Sequence, residues 1–239
     1  MVRALLVSLR DPDDPMALHE HQCFADCAGI PVDSLHRHPM ANGTPSDGQL
    51  REYNAIFFGG SGAYSVLDDV DWIQAGIRLC LRVAELQIPA YASCFGFQGL
   101  AVALGGKVIR DPARTELGAT WLECTAAASD DMLFRHLPKR FSAQEGHHDH
   151  VVELPRDVTL LATGEVSTNQ AFRVNGAPFW ASQFHPELTA QTSGARFRHY
   201  LSHYSDDPGS AMETLQRIEA GFDTPEVAQL LHRVVRLPR

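Results

Sequence analysis

In Pro89-Ala90-Tyr91-Ala92-Ser93-Cys94-Phe95-Gly96-Phe97-Gln98-Gly99-Leu100 an apolar strand pattern runs directly into a helical one, with almost no loop between them. So sharp a strand-to-helix turn crowds its own backbone and needs small side chains two residues before and two after its apex, the places held by Ala92 and Gly96. Cys94 at the apex therefore reads as a nucleophile on an elbow. The helix N-terminus beside it, with unpaired N–H groups and a positive end, is expected to lower the thiol pKa. The competing reading is a buried packing cysteine, because free cysteine is among the most buried residue types.

Outward from the elbow, residues 1–105 alternate short apolar runs with helical patterns, which argues for parallel strands joined by crossover helices. Strands are expected at 2–9, 31–35, 55–58 and 88–92, and helices at 15–28, at 71–86 and from the elbow to Gly105-Gly106. The polar stretch 38–47 reads as a surface loop, and the third strand runs into Gly59-Gly60-Ser61-Gly62. Beyond Gly106, short strands near 107–109, 119–123, 150–153, 159–162, 170–174 and 179–184 suggest an antiparallel extension of the sheet. The last thirty-odd residues read as helix: Thr224-Pro225-Glu226 looks like an N-cap, a Pro at N1 and an acidic first turn. Val227, Leu230, Leu231, Val234 and Val235 make an apolar stripe that could dock a partner but more commonly covers a protein's own sheet. The expected fold is an α/β domain over 1–204, with a mainly parallel open sheet and helices on both faces. A C-terminal helical extension is expected over 205–239.

The chain has 239 residues, 44% hydrophobic and 21% charged, enough for one large domain or two small ones. A formal charge of −9 is the wrong sign for a general phosphate-backbone binder, so nucleic acid is not an expected partner. No apolar run approaches the roughly 18 residues that a membrane span needs, and residues 1–9 turn polar before a secretory segment forms. Five cysteines, an odd number without tight pairing, fit a reducing compartment, and a cytoplasmic protein is expected.

A second element joins the elbow. The strand pattern at 179–184 delivers His185-Pro186-Glu187. A residue before proline is held extended, and extended residues two apart point the same way, so the Glu187 carboxylate can orient the His185 imidazole as a general base. Cys94, His185 and Glu187 thus supply a nucleophile, base and orienter in chain order. With Gln98 and the Gly59–Gly62 loop, they resemble the class I (triad) glutamine amidotransferases, most closely the stand-alone proteins similar to the amidotransferase domain of GMP synthetase. The likeness covers about residues 1–200 and implies a flavodoxin-like sheet. It implies Cys94 as nucleophile, His185 as base and Glu187 as its partner. The N–H groups of Gly60 and Phe95 would form the oxyanion hole, with Gly59, Ser61, Gln98, His147 and Asp149 near the substrate. Two departures stand out: Ala92 where the family usually has Gly, and Gly-Gly-Ser where many members have Gly-Gly-Pro.

Several weaker signals carry bland alternatives. His147-His148-Asp149-His150 invites a metal, but neighbours on an extended segment alternate faces, so at most two converge without other chain segments, and no metal is expected. His19, Cys23 and Cys27 share a helical face as core filler. Arg110, Arg114 and Glu116 read first as a solvated turn and second as substrate contacts. The expected reaction is hydrolysis of the glutamine γ-amide through a cysteinyl thioester, without a cofactor. With no Gly-x-x-x-x-Gly-Lys-Ser/Thr motif and no length for a fused synthetase, the ammonia acceptor is expected on another chain, and a homo-oligomer is left open. Rival readings are a γ-glutamyl peptide or amine hydrolase, a catalytically silent binding protein, and an α/β-hydrolase with Cys for Ser. The last is disfavoured because its acid would precede the histidine.

Overall fold

The computed structural model describes residues 2–201 and 208–238, so the boundary expected at 204/205 lies outside the described residues. The chain begins with β1 (Ala4–Ser8), α1 (Met16–Ala28), β2 (Leu35–Pro39), the short α2 (Asp47–Leu50) and β3 (Ala55–Phe58). It continues through α3 (Asp71–Glu85), β4 (Ala90–Ser93) and α4 (Phe95–Ala103). Seven strands follow: β5 (Lys107–Arg110), β6 (Glu116–Cys124), β7 (Arg140–His147), β8 (Asp149–Glu153), β9 (Val158–Gly164), β10 (Ala171–Val174) and β11 (Phe179–Ser182). The helices α5 (Ala190–His199), α6 (Pro208–Glu219) and α7 (Pro225–Val234) close the chain.

Nine strands form one sheet in the order β2-β1-β3-β4-β11-β10-β9-β6-β7, and β5 and β8 form a separate pair. The half from β2 to β11 is parallel and the rest antiparallel. β1, β3, β4 and β11 are buried along their whole length, which explains their uninterrupted apolar sequence: helices cover both faces of a parallel sheet. One core, with Phe58, Phe97 and Phe172, lies on the α3/α4 side, and another, with Phe24, Phe57 and Trp180, on the α1/α7 side. The α7 stripe of Val227, Leu230, Leu231 and Val234 packs into the second core against the protein's own sheet. Burying each such side chain contributes roughly 1.5–3 kcal/mol.

Three local expectations are corrected. β2 begins where a strand was expected to end, because Pro31 leads into a 3-10 turn at Val32–Ser34. The strand that follows is a half-exposed edge that takes in His36 and Arg37, assigned to no element, and His38, expected in the surface loop. β7 carries no apolar alternation: Ser142, Gln144, Glu145 and His147 are buried, so the strand is hidden from hydrophobic periodicity. The tail is two helices, broken at Gly221 to Thr224, where Asp223 accepts from Gln144 Nε2 (2.6 Å) and from the Ala190 N–H at the start of α5 (2.9 Å).

Candidate active site

The parallel strands aim their C-terminal ends at one place. Cys94 follows β4, the Gly59–Gly62 loop follows β3, Arg10 follows β1 and His185 follows β11, which pairs with β4 in register Ser182↔Ser93. The crevice beyond the carboxyl ends of parallel strands is where open α/β sheets place their ligands. The antiparallel half curls back to it, because β7 returns Gln144 to accept the His185 N–H at 2.8 Å.

Cys94 has φ +49° and ψ −103°, a strained conformation for a side-chain-bearing residue. The strain is enforced by packing: a Cβ on Gly96 would lie 2.8 Å from Phe58 Cβ and 2.9 Å from the Phe58 carbonyl oxygen, so only glycine fits there. The Cys94 N–H donates to the Ser182 carbonyl at 2.8 Å. Its thiol faces the Gly146 carbonyl (3.9 Å) and accepts from Gln183 Nε2 (3.8 Å). No hydrogen bond joins the thiol to His185 among the described residues. The expected lowering of the thiol pKa is reversed: burial, with the carboxylates of Glu145 and Glu187, pushes it up. At a thiol only 7% exposed, desolvation disfavours the thiolate.

His185 Nδ1 meets Glu187 Oε1 at 2.7 Å, with both residues buried. Arg196, on α5, lies 3.4 Å from the same Glu187 oxygen. Burial opposes the Glu187 charge, but His185 and Arg196 more than offset it and hold the carboxyl down at about 2. Arg196 carried no spacing signal in the sequence, being one arginine of a polar helix.

At the Gly59–Gly62 loop the structure departs from expectation. Phe95 opens α4 at its first position, where an N–H has no intrahelical partner. The Gly60 N–H, by contrast, already donates to Glu20 Oε1 at 3.0 Å. Glu20 is wholly buried and paired with Arg10 at 3.0 Å; Arg10 also reaches the Tyr200 hydroxyl (2.6 Å) and Asp14 (3.3 Å). Gly59 is glycine because a Cβ would stand 2.6 Å from Glu20 Oε2. The sequence did hold one sign of Glu20: it lies on the buried α1 stripe with Ala17, Phe24 and Ala28, a carboxylate among apolar neighbours.

A cleft of about 460 Å³ opens in front of Cys94, with Ser61, Tyr64, Gln98, Arg110 and His148 in its wall. Gln98 Nε2 donates to the Asp149 carbonyl (2.9 Å) and to Gln183 Oε1 (3.1 Å). The Asp149 carboxylate is held by Ser65 Oγ (2.5 Å) and Arg110 Nε (3.0 Å), so Arg110 belongs to the cleft rather than to a detached solvated turn. Arg114 pairs instead with Asp111.

Behind this wall the expected histidine run splits at the corner between β7 and β8. His147 turns inward, its Nδ1 on the Asp149 carbonyl (2.9 Å) and its Nε2 3.3 Å from both Glu116 and Glu145. Burial opposes its charge, but the two carboxylates raise it to about 9; burial raises Glu145 to about 7. On α1, Cys23 lies 3.9 Å from the His19 ring, and burial pushes Cys23 and Cys27 up to about 11 and 12.

The chain and its fold have counterparts among known proteins. Residues 34–199 match the family Glutamine amidotransferase class-I. The chain is 31% identical over 154 residues to a subunit of the glutamine-hydrolyzing GMP synthase of Sulfolobus acidocaldarius, covering 64% of this chain and 78% of that protein. It is 27% identical over 184 residues to Gamma-glutamyl peptidase 3 of Arabidopsis thaliana, covering 72% of each. Against the glutamine-hydrolyzing GMP synthase of Thermosipho africanus the match spans only 21% of that longer protein, at 36% identity. The crystal structure of a glutamine amidotransferase from Thermotoga maritima shares the fold with a TM-score of 0.74 over 99% of both chains, at 24% identity. The chain belongs to the class I glutamine amidotransferase family.

Proposed function

We propose that the protein hydrolyses the γ-amide of glutamine to glutamate and ammonia, and that the ammonia serves a separate acceptor enzyme. The observation that carries this reading is the strained Cys94 elbow, one strand away from a His185–Glu187 pair joined at 2.7 Å. In the proposed reaction the thiol proton passes to His185 and Sγ attacks the amide carbon. Glu187 keeps the imidazole oriented and its charged form favoured. The oxyanion is held by the Phe95 N–H and by the Gly60 N–H once it leaves Glu20. His185 then protonates the amide nitrogen, the C–N bond breaks and ammonia departs. Water, deprotonated by His185, splits the thioester to glutamate and restores the thiol. In this reading Ser61 and Gln98 meet the substrate directly, Gly59 keeps the loop close to Glu20, and His147 and Asp149 hold the wall. These steps call for no cofactor. A reducing, cytoplasmic setting suits five free thiols.

The pairing of Gly60 with Glu20 supports a slow resting enzyme that waits for its acceptor. The likeness to the Sulfolobus GMP synthase protein points the same way. A second reading, hydrolysis of γ-glutamyl peptides without a partner, is favoured by the width of the cleft and the likeness to Gamma-glutamyl peptidase 3. The deciding measurement is kcat/KM for glutamine against a γ-glutamyl dipeptide on the isolated protein. A hundredfold preference for the dipeptide, about 2.7 kcal/mol in the transition state, replaces the first reading with the second. No turnover of either, with no labelling of Cys94 by a glutamine-analogue electrophile, leaves a catalytically silent binding protein.

A further inference from the structure

We propose that Glu116, His147 and His150 form a buried site for a divalent transition-metal ion of the zinc class, behind the cleft wall. A carboxylate oxygen of Glu116 and one ring nitrogen from each histidine lie within 4.8 Å of one another, and all three residues are buried. The sequence argued against a metal because adjacent residues of one strand diverge. The fold removes that premise: the corner at His148 brings His147 and His150 to one side, and the neighbouring strand β6 supplies Glu116.

Each imidazole is already oriented for a metal. His147 Nδ1 donates to the Asp149 carbonyl at 2.9 Å, and His150 Nδ1 meets Ser167 Oγ at 2.6 Å, so both rings present Nε2 to the centre. Metal-bound histidines are fixed in this way through their other nitrogen. Gln170 Nε2 holds Glu116 Oε2 at 3.2 Å. Glu116 Oε1, Glu145 Oε1 and His150 Nε2 are buried without a hydrogen-bond partner, and His147 Nε2 and Glu145 Oε2 have no partner closer than their ion-pair contacts. His147 Nε2 stands 3.3 Å from Glu116 and from Glu145. That separation is long for a charged hydrogen bond and close to the edge of a tetrahedron of zinc ligands, about 3.3 Å for bonds of about 2.0–2.1 Å. Two imidazoles select zinc, cobalt or iron over calcium and magnesium, which take oxygen ligands.

The ion would tie β6 to the corner between β7 and β8, whose Asp149 carbonyl holds Gln98, and so stiffen the cleft wall. Its place does not depend on Cys94 or His185, so its failure leaves the hydrolysis reading intact. The test is metal analysis of the purified full-length protein, followed by titration of chelator-stripped protein with Zn²⁺ and Co²⁺. One tightly bound ion per chain is expected, with the intense visible absorption of four-coordinate Co²⁺. His150→Ala should weaken Zn²⁺ by about a hundredfold or more, and Ser167→Ala by about tenfold. The proposal is overturned if the wild-type chain binds less than one equivalent, or if tight binding survives His150→Ala unchanged. The wild-type stoichiometry and the Co²⁺ spectrum need no variant to fold.

Discussion

Two buried ionic clusters flank Cys94, and they are built on opposite principles. Around Arg10, the acids Glu20 and Asp14 close on a guanidinium that is always charged, and Tyr200 completes the ring of partners. Around His147, two acids and two imidazoles meet with no permanent cation, and Glu116 Oε1, Glu145 Oε1 and His150 Nε2 stay without a hydrogen-bond partner. The first arrangement lends its carboxylate to a loop: the Glu20 oxygen that pairs with Arg10 also accepts the Gly60 N–H. The second depends on a cation from outside, whether a proton on His147 or a metal. A buried acid with its own arginine is an anchor; one without is a binding site.

The largest expected effect lies between the clusters. Cys94→Ala should lower turnover by at least about 10⁴-fold while leaving the unfolding midpoint unchanged or higher, because it touches neither cluster. Assay and denaturation of the same preparation check this, and a large loss of stability would mean that the thiol is structural. Next, Arg10→Ala strands two acids and should cost about 3–5 kcal/mol in denaturant unfolding, whereas Glu145→Gln, which removes an acid paired with an imidazole at 3.3 Å and with no arginine, should cost under about 1 kcal/mol. Equal losses would abolish the distinction between the two clusters.

Acid should act through the arginine-closed side. Glu187, beside Arg196, has its pKa lowered from 4.5 to about 2, so its contribution is complete above pH 4.5 and is lost as pH falls toward 2. Unfolding midpoints measured between pH 5 and 2.5 should lose roughly 3 kcal/mol in the wild type, and Glu187→Gln should flatten that slope. The smallest effect concerns the loop. Glu20→Gln weakens the hold on Gly60 and should raise glutamine hydrolysis several-fold, about 1 kcal/mol, at some expense of stability. If both rate and stability fall, Glu20 positions the loop instead of withholding its N–H.

What the sequence disclosed follows the same division. The elbow was legible because Ala92, Gly96 and the abrupt change of period are local, and the structure shows Gly96 pressed on Phe58. His185 and Glu187 were legible because a proline between them fixes the backbone. The clusters were not, because their members come from separate elements: Arg10 from the end of β1, Glu20 from α1, Tyr200 from beyond α5, and Glu116 from β6. Each alone is an ordinary polar residue. Burial also inverted one inference, since a thiol read as acidified by its helix is raised by desolvation.

Cys94 and His185 leave neighbouring strands, β4 and β11, that pair directly, so their spacing is set at the level of Ser93 and Ser182 by one interstrand step of about 4.8 Å. The whole antiparallel half is spliced between them like a clause in brackets. The hydrogen bonds that β7 makes to the pair come from the main-chain carbonyls of Gln144 and Gly146, which any side chain would provide. The cleft wall draws on both lengths of chain, Ser61 and Tyr64 from the parallel half and Arg110 and His148 from the inserted one. The bracketed clause, with Arg110 and His148 facing the cleft, can therefore be redrafted by mutation or exchange at those side chains while its main-chain bonds to Cys94 and His185 stay in place.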